Sequence, residues 1–276
     1  MKGLKIYIHA DMEGVAGVVS FEDCESQSIS NYFHRQRMRR LLTGEVNAAV
    51  KAARDSGAKI IYVNDSHGSG YNIIFEELEP EVEIIHGRTG RAPSWLPCLD
   101  GNFDAVIAIG QHAMAGTRNA NLPHSLWHIN NGEYLLSETS MCAALAGYFD
   151  VPFIFVSGDQ EICKEMKDKI PEVEVGIVKF SLGPYNARIL HPVKAQEIIY
   201  NGTKKTIDNL GKIKPFKIPG PYSINISDRD PSKKLLKEDV KGEDFFQTVL
   251  EALNKLPWNK YGSQGLDDYK YPDKIT

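Results

Sequence analysis

The stretch LKIYIHADMEG at residues 4–14 sets the interpretation of the whole chain. Residues 4–9 form a short apolar run that predicts a strand, and the polar segment HADMEG overlaps its end. Asp11 and Glu13 lie two residues apart, so in extended backbone both carboxylates point to the same side. In open α/β sheets, ligands bind beyond the carboxyl ends of the strands. The stretch therefore predicts a ligand-binding strand end.

Outward from this stretch, β-branched runs alternate with helical patterns. An amphipathic helix is predicted over residues 31–56, where apolar residues recur at i, i+3, i+4 and i+7, with Gly57 placed to cap its end. Further helices are predicted at residues 138–148 and 192–210. Strands are predicted at residues 4–9, 59–64, 105–109, 153–157 and 173–178. This alternation predicts an α/β fold, with a mainly parallel sheet and helices on both faces.

Two intervals depart from the alternation. Residues 125–129 and 133–137 flank Asn130-Asn131-Gly132, a turn signal typical of a β-hairpin. After residue 214 prolines interrupt the chain, residues 222–226 alternate like an edge strand, and residues 243–253 have a helical pattern. We therefore predict an α/β catalytic domain at residues 1–214. A small C-terminal α+β subdomain and tail follow at residues 215–276, with no regular structure expected from residue 257 onward.

Composition limits the class of protein. Of the 276 residues 42% are hydrophobic and 25% charged, and the net charge of −4 argues against general affinity for nucleic acid. The basic run at residues 35–40 predicts a solvated helix face. No run approaches the roughly 18 apolar residues that span a bilayer. Scattered cysteines without a CxxC pair, and no cleavable signal pattern, predict a cytoplasmic protein without nucleic-acid or membrane partners.

Side chains of metal-binding types follow four of the predicted strands. They are Asp11 and Glu13, Asp65 and His67, His112, and Asp159, while Glu138 opens the helix after the hairpin. Imidazoles and carboxylates bind zinc and similar cations, and acidic groups brought together without a cation would repel one another. The pattern predicts a metal site, although Asp11 also fits a turn, Glu138 a helix dipole and Asp159 a helix N-cap.

These segments together resemble a known family. HADMEG at residues 9–14, NDSH at residues 64–67 and GQHA at residues 110–113 look like segments of the D-aminopeptidases, zinc peptidases associated with bacterial dipeptide-transport operons. The resemblance continues through HS at residues 124–125, AGYFDVP at residues 146–152 and GD at residues 158–159. It keeps the same order over roughly residues 5–200, and the last quarter of the chain is only loosely similar.

The resemblance implies a centre with two divalent metal ions, expected to be Zn²⁺, which Asp11 would bridge. The implied ligands are Asp11, Glu13, His67, His112 and Glu138. The family's proposed catalytic histidine falls on His124, in a loop that is one residue longer here than in the family pattern. The resemblance also implies a ring-like homo-oligomer acting on short peptides or amino acid amides.

Amide hydrolysis needs an activated water, stabilisation of an oxyanion and a proton for the leaving amine. A divalent ion activates water at neutral pH. The imidazole of His124 suits proton transfer, oxyanion contact or direct attack, and alternatively it is a hydrogen-bonded loop residue. Asn64 and Asp65 are expected to orient His67. Asp159 is a further candidate for a supporting or substrate-contacting group.

The sequence thus predicts a metal-dependent aminopeptidase that releases N-terminal amino acids, expected to be D-residues, from short peptides or amino acid amides. One alternative is another dinuclear metallohydrolase, such as an L-aminopeptidase, an amidase or a phosphoesterase. A second is a metal-binding assembly protein without turnover. The sequence lacks the D-x-H, GNHE and GH-x-H patterns of calcineurin-like phosphoesterases, and no GxGxxG or P-loop follows a predicted strand.

Overall fold

A seven-stranded sheet and a four-stranded sheet organise the chain in a computed structural model that describes residues 3–23, 26–68, 70–87 and 95–256. The strands are β1 (Leu4–Ala10), β2 (Ala58–Asp65), β3 (Glu83–Ile85), β4 (Ala105–Gln111), β5 (Leu126–Ile129), β6 (Tyr134–Leu136), β7 (Phe153–Asp159), β8 (Glu174–Gly183), β9 (Asn186–Ile189), β10 (Tyr222–Ser227) and β11 (Val240–Gly242). The α-helices are α1 (Ile29–Asp55), α2 (Glu138–Tyr148), α3 (Gln160–Lys169), α4 (Pro192–Ile207) and α5 (Phe245–Asn254).

The larger sheet has the strand order β3-β2-β1-β4-β7-β8-β9. Every neighbouring pair is parallel except β8 and β9, which are antiparallel. The chain proceeds from β1 to β2 and β3 on one side, and then returns to place β4 on the other side of β1. Such a reversal opens a crevice at the carboxyl ends of the strands, where ligands bind in this class of sheet. The predicted mainly parallel α/β sheet is confirmed.

Helices cover both faces of this sheet, which explains why its central strands β4 and β7 are buried at every position. In β1, Ile6 and Ile8 are fully buried in the core layer that includes α1 and α4. Tyr7 points the other way and is fully buried in the layer that includes α2, α3 and α5. The predicted placement of helices on both faces is therefore confirmed.

The ends of α1 follow from local side chains. The Ser28 hydroxyl accepts a hydrogen bond from the backbone N–H of Asn31 and caps the first turn. Gly57, just past the last turn, has φ +92°, a conformation in which a side chain would be strained. The predicted helix and its glycine stop are thus confirmed. None of the helices in the described ranges combines the length and hydropathy that a membrane crossing needs.

The smaller sheet is antiparallel, with the order β11-β10-β5-β6. It contains the predicted hairpin, because β5 and β6 are joined by the turn Asn130–Gly132. The expectation of an edge strand at residues 222–226 is wrong, since β10 pairs with β5 on one side and β11 on the other. The three residues of β11 are too few to give a pattern that sequence reading detects.

Residues on both sides of position 214 share this smaller sheet, and α5 packs against β10 and β11. The division into a domain at residues 1–214 and a subdomain from residue 215 stays a prediction. The expectation for residues 257–276 lies outside the described residues.

Candidate metal centre

The carboxyl ends of β1, β2 and β4 supply four of the predicted ligands, and the first residue of α2, Glu138, supplies the fifth. Ligand atoms of Asp11, Glu13 and His67 lie within 4.8 Å of one another, and so do those of Asp11, His112 and Glu138. Asp11 belongs to both groups, as a ligand that bridges two metal ions would. The assignment of these residues as ligands stays a prediction that this geometry favours.

Two glycines allow the loop after β1 to lie directly against the end of β4. The backbone N–H of Gly14 donates to the carbonyl of Gly110 at 2.7 Å. A Cβ at Gly14 would stand 2.0 Å from the Gln111 carbonyl oxygen, and one at Gly110, where φ is +74°, would stand 2.1 Å from the Asp11 carbonyl oxygen. Because no side chain fits at either position, this contact fixes where Asp11 and Glu13 point.

Three carboxylates surround the His67 ring, whose side chain is 10% exposed. Its Nδ1 lies 3.2 Å from Asp11 Oδ1 and 3.0 Å from Glu13 Oε2, and its Nε2 lies 3.5 Å from Glu22 Oε2. Burial alone lowers the pKa of His67, but the charge of Glu13 and the neighbouring carboxylates of Asp11 and Glu22 raise it well above its ordinary value. The ring therefore sits where a cation is strongly favoured.

His112 is the centre of the second group. Its Nε2 lies 3.5 Å from Asp11 Oδ2 and 3.8 Å from Glu138 Oε2. Its Nδ1 lies 2.9 Å from the Ala113 carbonyl, which can only accept, so Nδ1 carries a proton and Nε2 faces the carboxylates. Burial opposes the charged ring, but the two carboxylates raise the pKa of His112 to about 10. Burial likewise opposes the charged carboxylate, but His112 lowers the pKa of Glu138 to about 2.

The donor atoms of this cluster fit divalent cations. Asp11 Oδ2, Glu13 Oε2 and His112 Nε2 are buried and have no hydrogen-bond partner among the described residues. Buried polar atoms that lack partners are costly, and native proteins rarely keep them without a reason. Two imidazoles and three carboxylates form a mixed nitrogen and oxygen set that suits zinc and similar ions. The residues present therefore fit a metal centre of the kind that the sequence implies.

His124 lies directly beside this cluster. Its ring stacks on that of His112 with a centroid separation of 3.8 Å, and it meets the Phe21 ring edge to face at 5.2 Å. Its Nδ1 donates to the Leu122 carbonyl at 3.0 Å, which leaves Nε2 as the unprotonated atom of the neutral ring. A His124 nitrogen also lies within 4.8 Å of ligand atoms of Glu13 and His112. The geometry thus admits either a reacting group or an additional ligand.

Sequence reasoning missed Glu22, which lies in the loop between β1 and α1. Its side chain is 5% exposed, accepts a 2.7 Å hydrogen bond from Arg35 Nε and lies 3.9 Å from Arg39. Burial raises the pKa of Glu22, but the hydrogen bonds from His67 and Arg35 outweigh it and lower the pKa to about 2. The expected solvated basic face is therefore wrong for Arg35 and Arg39, because they face this buried carboxylate. Only a glutamate ahead of an arginine-rich helix signalled the pairing.

Asn64 and Asp65 do not orient the His67 ring in the expected way. Asp65 accepts from the backbone N–H groups of Asn72 and Ile73 at 2.7 and 2.9 Å. The Asn72 amide bridges the Asp65 carboxylate, at 2.8 Å, and the His67 carbonyl, at 2.5 Å. Asp65 therefore shapes the backbone of the His67 loop, while Asn64 donates to the Trp95 carbonyl at 3.5 Å. Glu22 is the carboxylate that faces Nε2 of the ring.

Asp159 takes the predicted position just before α3, but its side chain does not cap that helix. Its carboxylate instead accepts from the Asn121 backbone N–H at 3.1 Å and from the Ser181 hydroxyl. Because Asn121 is three residues before His124, Asp159 supports the loop that carries this histidine. It contacts neither proposed metal group directly.

The chain is similar to known D-aminopeptidases. A family model described as D-aminopeptidase matches residues 4–237. The D-aminopeptidase of Bacillus subtilis (strain 168) is 32% identical over 227 residues, which are 81% of this chain and 81% of that protein. A solved structure, the Zn-dependent D-aminopeptidase DppA from Bacillus subtilis, a self-compartmentalizing protease, matches with a TM-score of 0.80 and 27% identity. That match covers 91% of this chain and 97% of the solved chain.

Proposed function

This chain belongs to the D-aminopeptidase family, and on that premise we propose that it is a metal-dependent aminopeptidase that releases N-terminal D-amino acids from short peptides or amino acid amides. One observation carries the proposal: two groups of three ligand atoms share Asp11, and the His124 ring lies against one of them. A phosphoesterase or a binding protein without turnover is not favoured, because the relatives are named as peptidases.

Two zinc ions are proposed on the basis of the donor set and the zinc-dependent relative. One ion would be held by Asp11, Glu13 and His67, and the other by Asp11, His112 and Glu138. Bound there, the ions would supply Lewis acidity, which makes water nucleophilic at neutral pH and polarises a carbonyl group.

His124 is proposed to handle the proton or the developing negative charge. The hydrogen bond from Nδ1 to the Leu122 carbonyl holds the ring in one tautomer, so Nε2 can take up a proton. The His124 ring stacks on His112 and meets the edge of Phe21, and these two contacts limit its rotation and keep Nε2 near the cluster. Once protonated, Nε2 can return the proton to the leaving amine or donate to an oxyanion. Direct attack by Nε2 is the third role that this geometry permits.

An assembly larger than a dimer and a cytoplasmic location are also proposed. Ile29, Tyr32 and Phe33 lie at helical spacing on the first turns of α1 and are 77%, 59% and 65% exposed. Apolar groups exposed together often mark protein interfaces, and the solved relative is described as self-compartmentalizing. Light scattering should give a mass several times 30.8 kDa. A monomer at micromolar concentration would contradict the assembly, and fractionation tests the location.

A matched substrate panel tests the function. Zinc-loaded protein should release the first residue from D-aminoacyl amides and D-containing dipeptides faster than from their L-counterparts. Acetylating the substrate's amino group should stop release, and chelator-treated protein should be inactive until zinc returns. Equal rates on free and acetylated substrates would leave a general amidase, while hydrolysis of L-substrates alone would refute the D-preference.

A further inference from the structure

Lys179 on β8 is a fully buried lysine that contacts the backbone of the proposed ligand Glu13. Its ammonium donates hydrogen bonds to the Glu13 carbonyl, to the Val18 carbonyl at 2.7 Å and to Asn121 Oδ1 at 2.9 Å. A lysine ammonium has three N–H donors, so these contacts use all of them. The three acceptors belong to two loops that are more than a hundred residues apart in the sequence.

The charge of this lysine is retained despite its burial. Burial is the largest influence and lowers the pKa of Lys179 to about 8, while the carboxylates of Asp159, Glu13 and Glu45 oppose it. The three surrounding acceptors each take one N–H, which only the protonated amine can provide. Replacing it with an apolar side chain would leave three buried acceptors unpaired, and buried acceptors without partners destabilise the arrangement that holds them.

The first loop, residues 13–18, begins with the proposed ligand Glu13. Lys179 holds the carbonyls at both of its ends. From the opposite side, the buried Glu45 carboxylate on α1 accepts the Ala16 backbone N–H at 2.8 Å. Two buried ionisable side chains, Lys179 on β8 and Glu45 on α1, therefore fix this loop.

The second loop, residues 119–125, carries His124. Leu122 and Ser125 have φ values of +52° and +55°, which non-glycine residues keep only where the surroundings enforce them. Asn121 supplies that constraint: its backbone N–H donates to Ser181 Oγ at 2.7 Å as well as to Asp159. Its side chain joins Lys179 to the Pro184 carbonyl, which lies 3.0 Å from Nδ2.

We infer that Lys179 is a positioning residue that fixes the Glu13 loop and the His124 loop relative to each other. One ammonium serves both branches, through the backbone of the ligand loop and through Asn121 in the histidine loop. Loss of the first branch weakens metal binding, and loss of the second displaces the reacting imidazole. The turnover part rests on the proposed function, whereas the metal-binding part does not.

Two variants separate the branches. In Lys179→Met both branches are cut, so zinc affinity of the metal-free protein, measured by competition with a chromophoric chelator, should fall about 10- to 100-fold. At saturating zinc its kcat should fall on the same order, with KM nearly unchanged. Asn121→Ala cuts the histidine branch alone. Its zinc affinity should stay within about threefold of wild type, while its kcat falls about tenfold or more.

Thr206→Val, on α4, is the matched control. Thr206 Oγ1 is a buried donor to the Ile154 carbonyl at 3.0 Å, and Ile154 lies near the amino end of β7, away from the strand ends that carry the proposed ligands. It should lower the melting temperature without changing zinc affinity or kcat.

Wild-type zinc affinity and kcat in Lys179→Met would overturn the inference, as would losses of zinc affinity and kcat in Thr206→Val equal to those in Lys179→Met. If Lys179→Met does not fold, wild-type kcat in Asn121→Ala overturns it. If wild-type protein hydrolyses no peptide, the proposed function fails, and the zinc affinities of the variants still decide the inference.

Discussion

Removing the metal ions should make the stability of this protein fall steeply as pH rises above 6.5. His112 sets the size of the effect, because its side chain is 1% exposed and Asp11 and Glu138 raise its pKa to about 10 despite burial. A raised pKa stabilises the folded state fully below the unfolded value of about 6.5, and this contribution is lost as pH rises toward the folded value. The raised pKa of His67 acts in the same direction.

The slope follows from the proton count. One proton bound only in the folded state corresponds to about 1.4 kcal/mol per pH unit. Because the unfolded ring is still half protonated at pH 6.5, about 2.3 kcal/mol is lost between pH 6.5 and 8.5. For a chain of this size that lowers the melting temperature by roughly 5–10 °C. The pKa values of Asp11 and Glu138 are lowered, so their contribution is complete above about pH 4.5 and constant over this window.

Thermal unfolding of chelator-treated and zinc-loaded protein at pH 6.5, 7.5 and 8.5 measures the effect. Zinc binds neutral imidazole, so its stabilisation should grow over the same range. In the chelator-treated protein, His112→Gln should reduce the dependence of stability on pH by the contribution of one bound proton. His128→Gln is the control, because burial lowers the pKa of His128, so its ring binds no more protons in the folded state than in the unfolded state and cannot cause a loss of stability as pH rises. If the melting temperature of the chelator-treated protein stays constant or rises with pH, the reasoning is refuted.

Three further predictions concern the metal centre. Elemental analysis should find about two zinc, manganese or cobalt ions per chain, since five ligands exceed the needs of one four-coordinate ion. If the protein contains no bound metal even after reconstitution with these ions, a metal centre is excluded. His124→Ala should lower kcat by about 10²- to 10⁴-fold with unchanged metal content and melting temperature. His67→Ala should instead lose metal together with activity. If His124→Ala also loses metal, His124 is a ligand. Glu22→Gln should weaken zinc binding about 10- to 100-fold, whereas the surface substitution Glu77→Gln should leave it unchanged. If Glu22→Gln binds zinc as tightly as the wild-type protein, Glu22 does not orient His67.

The sequence was informative wherever one short segment contained the whole signal. The long buried strands have largely apolar runs, and four of the five proposed ligands follow them because parallel strands end at one edge. Gly57 and the Asn130–Gly132 turn were readable for the same reason, since a left-handed backbone restricts residue type locally.

What the sequence could not give depends on partners far along the chain. Asp159 follows a strand and precedes a helix, so local rules favour a cap, yet tertiary contacts give its carboxylate to Asn121 and Ser181. Lys179 lies in an otherwise ordinary strand, and only the folded chain places two carbonyls and an amide around it. Likewise, β10 alternates like an edge strand until both of its neighbours are known.

The pairing of β10 with β5 has a consequence for the order of events during synthesis. All five proposed ligands leave the ribosome within the first 138 residues, whereas β10 begins at Tyr222. Until then β5, which starts two residues after His124, has a free edge with unpaired backbone groups. We expect a nascent chain to acquire metal before its histidine loop is held for turnover, so that activity begins only after β10 has been synthesised. Stalled chains that end before Tyr222 and still hydrolyse substrate would contradict this order.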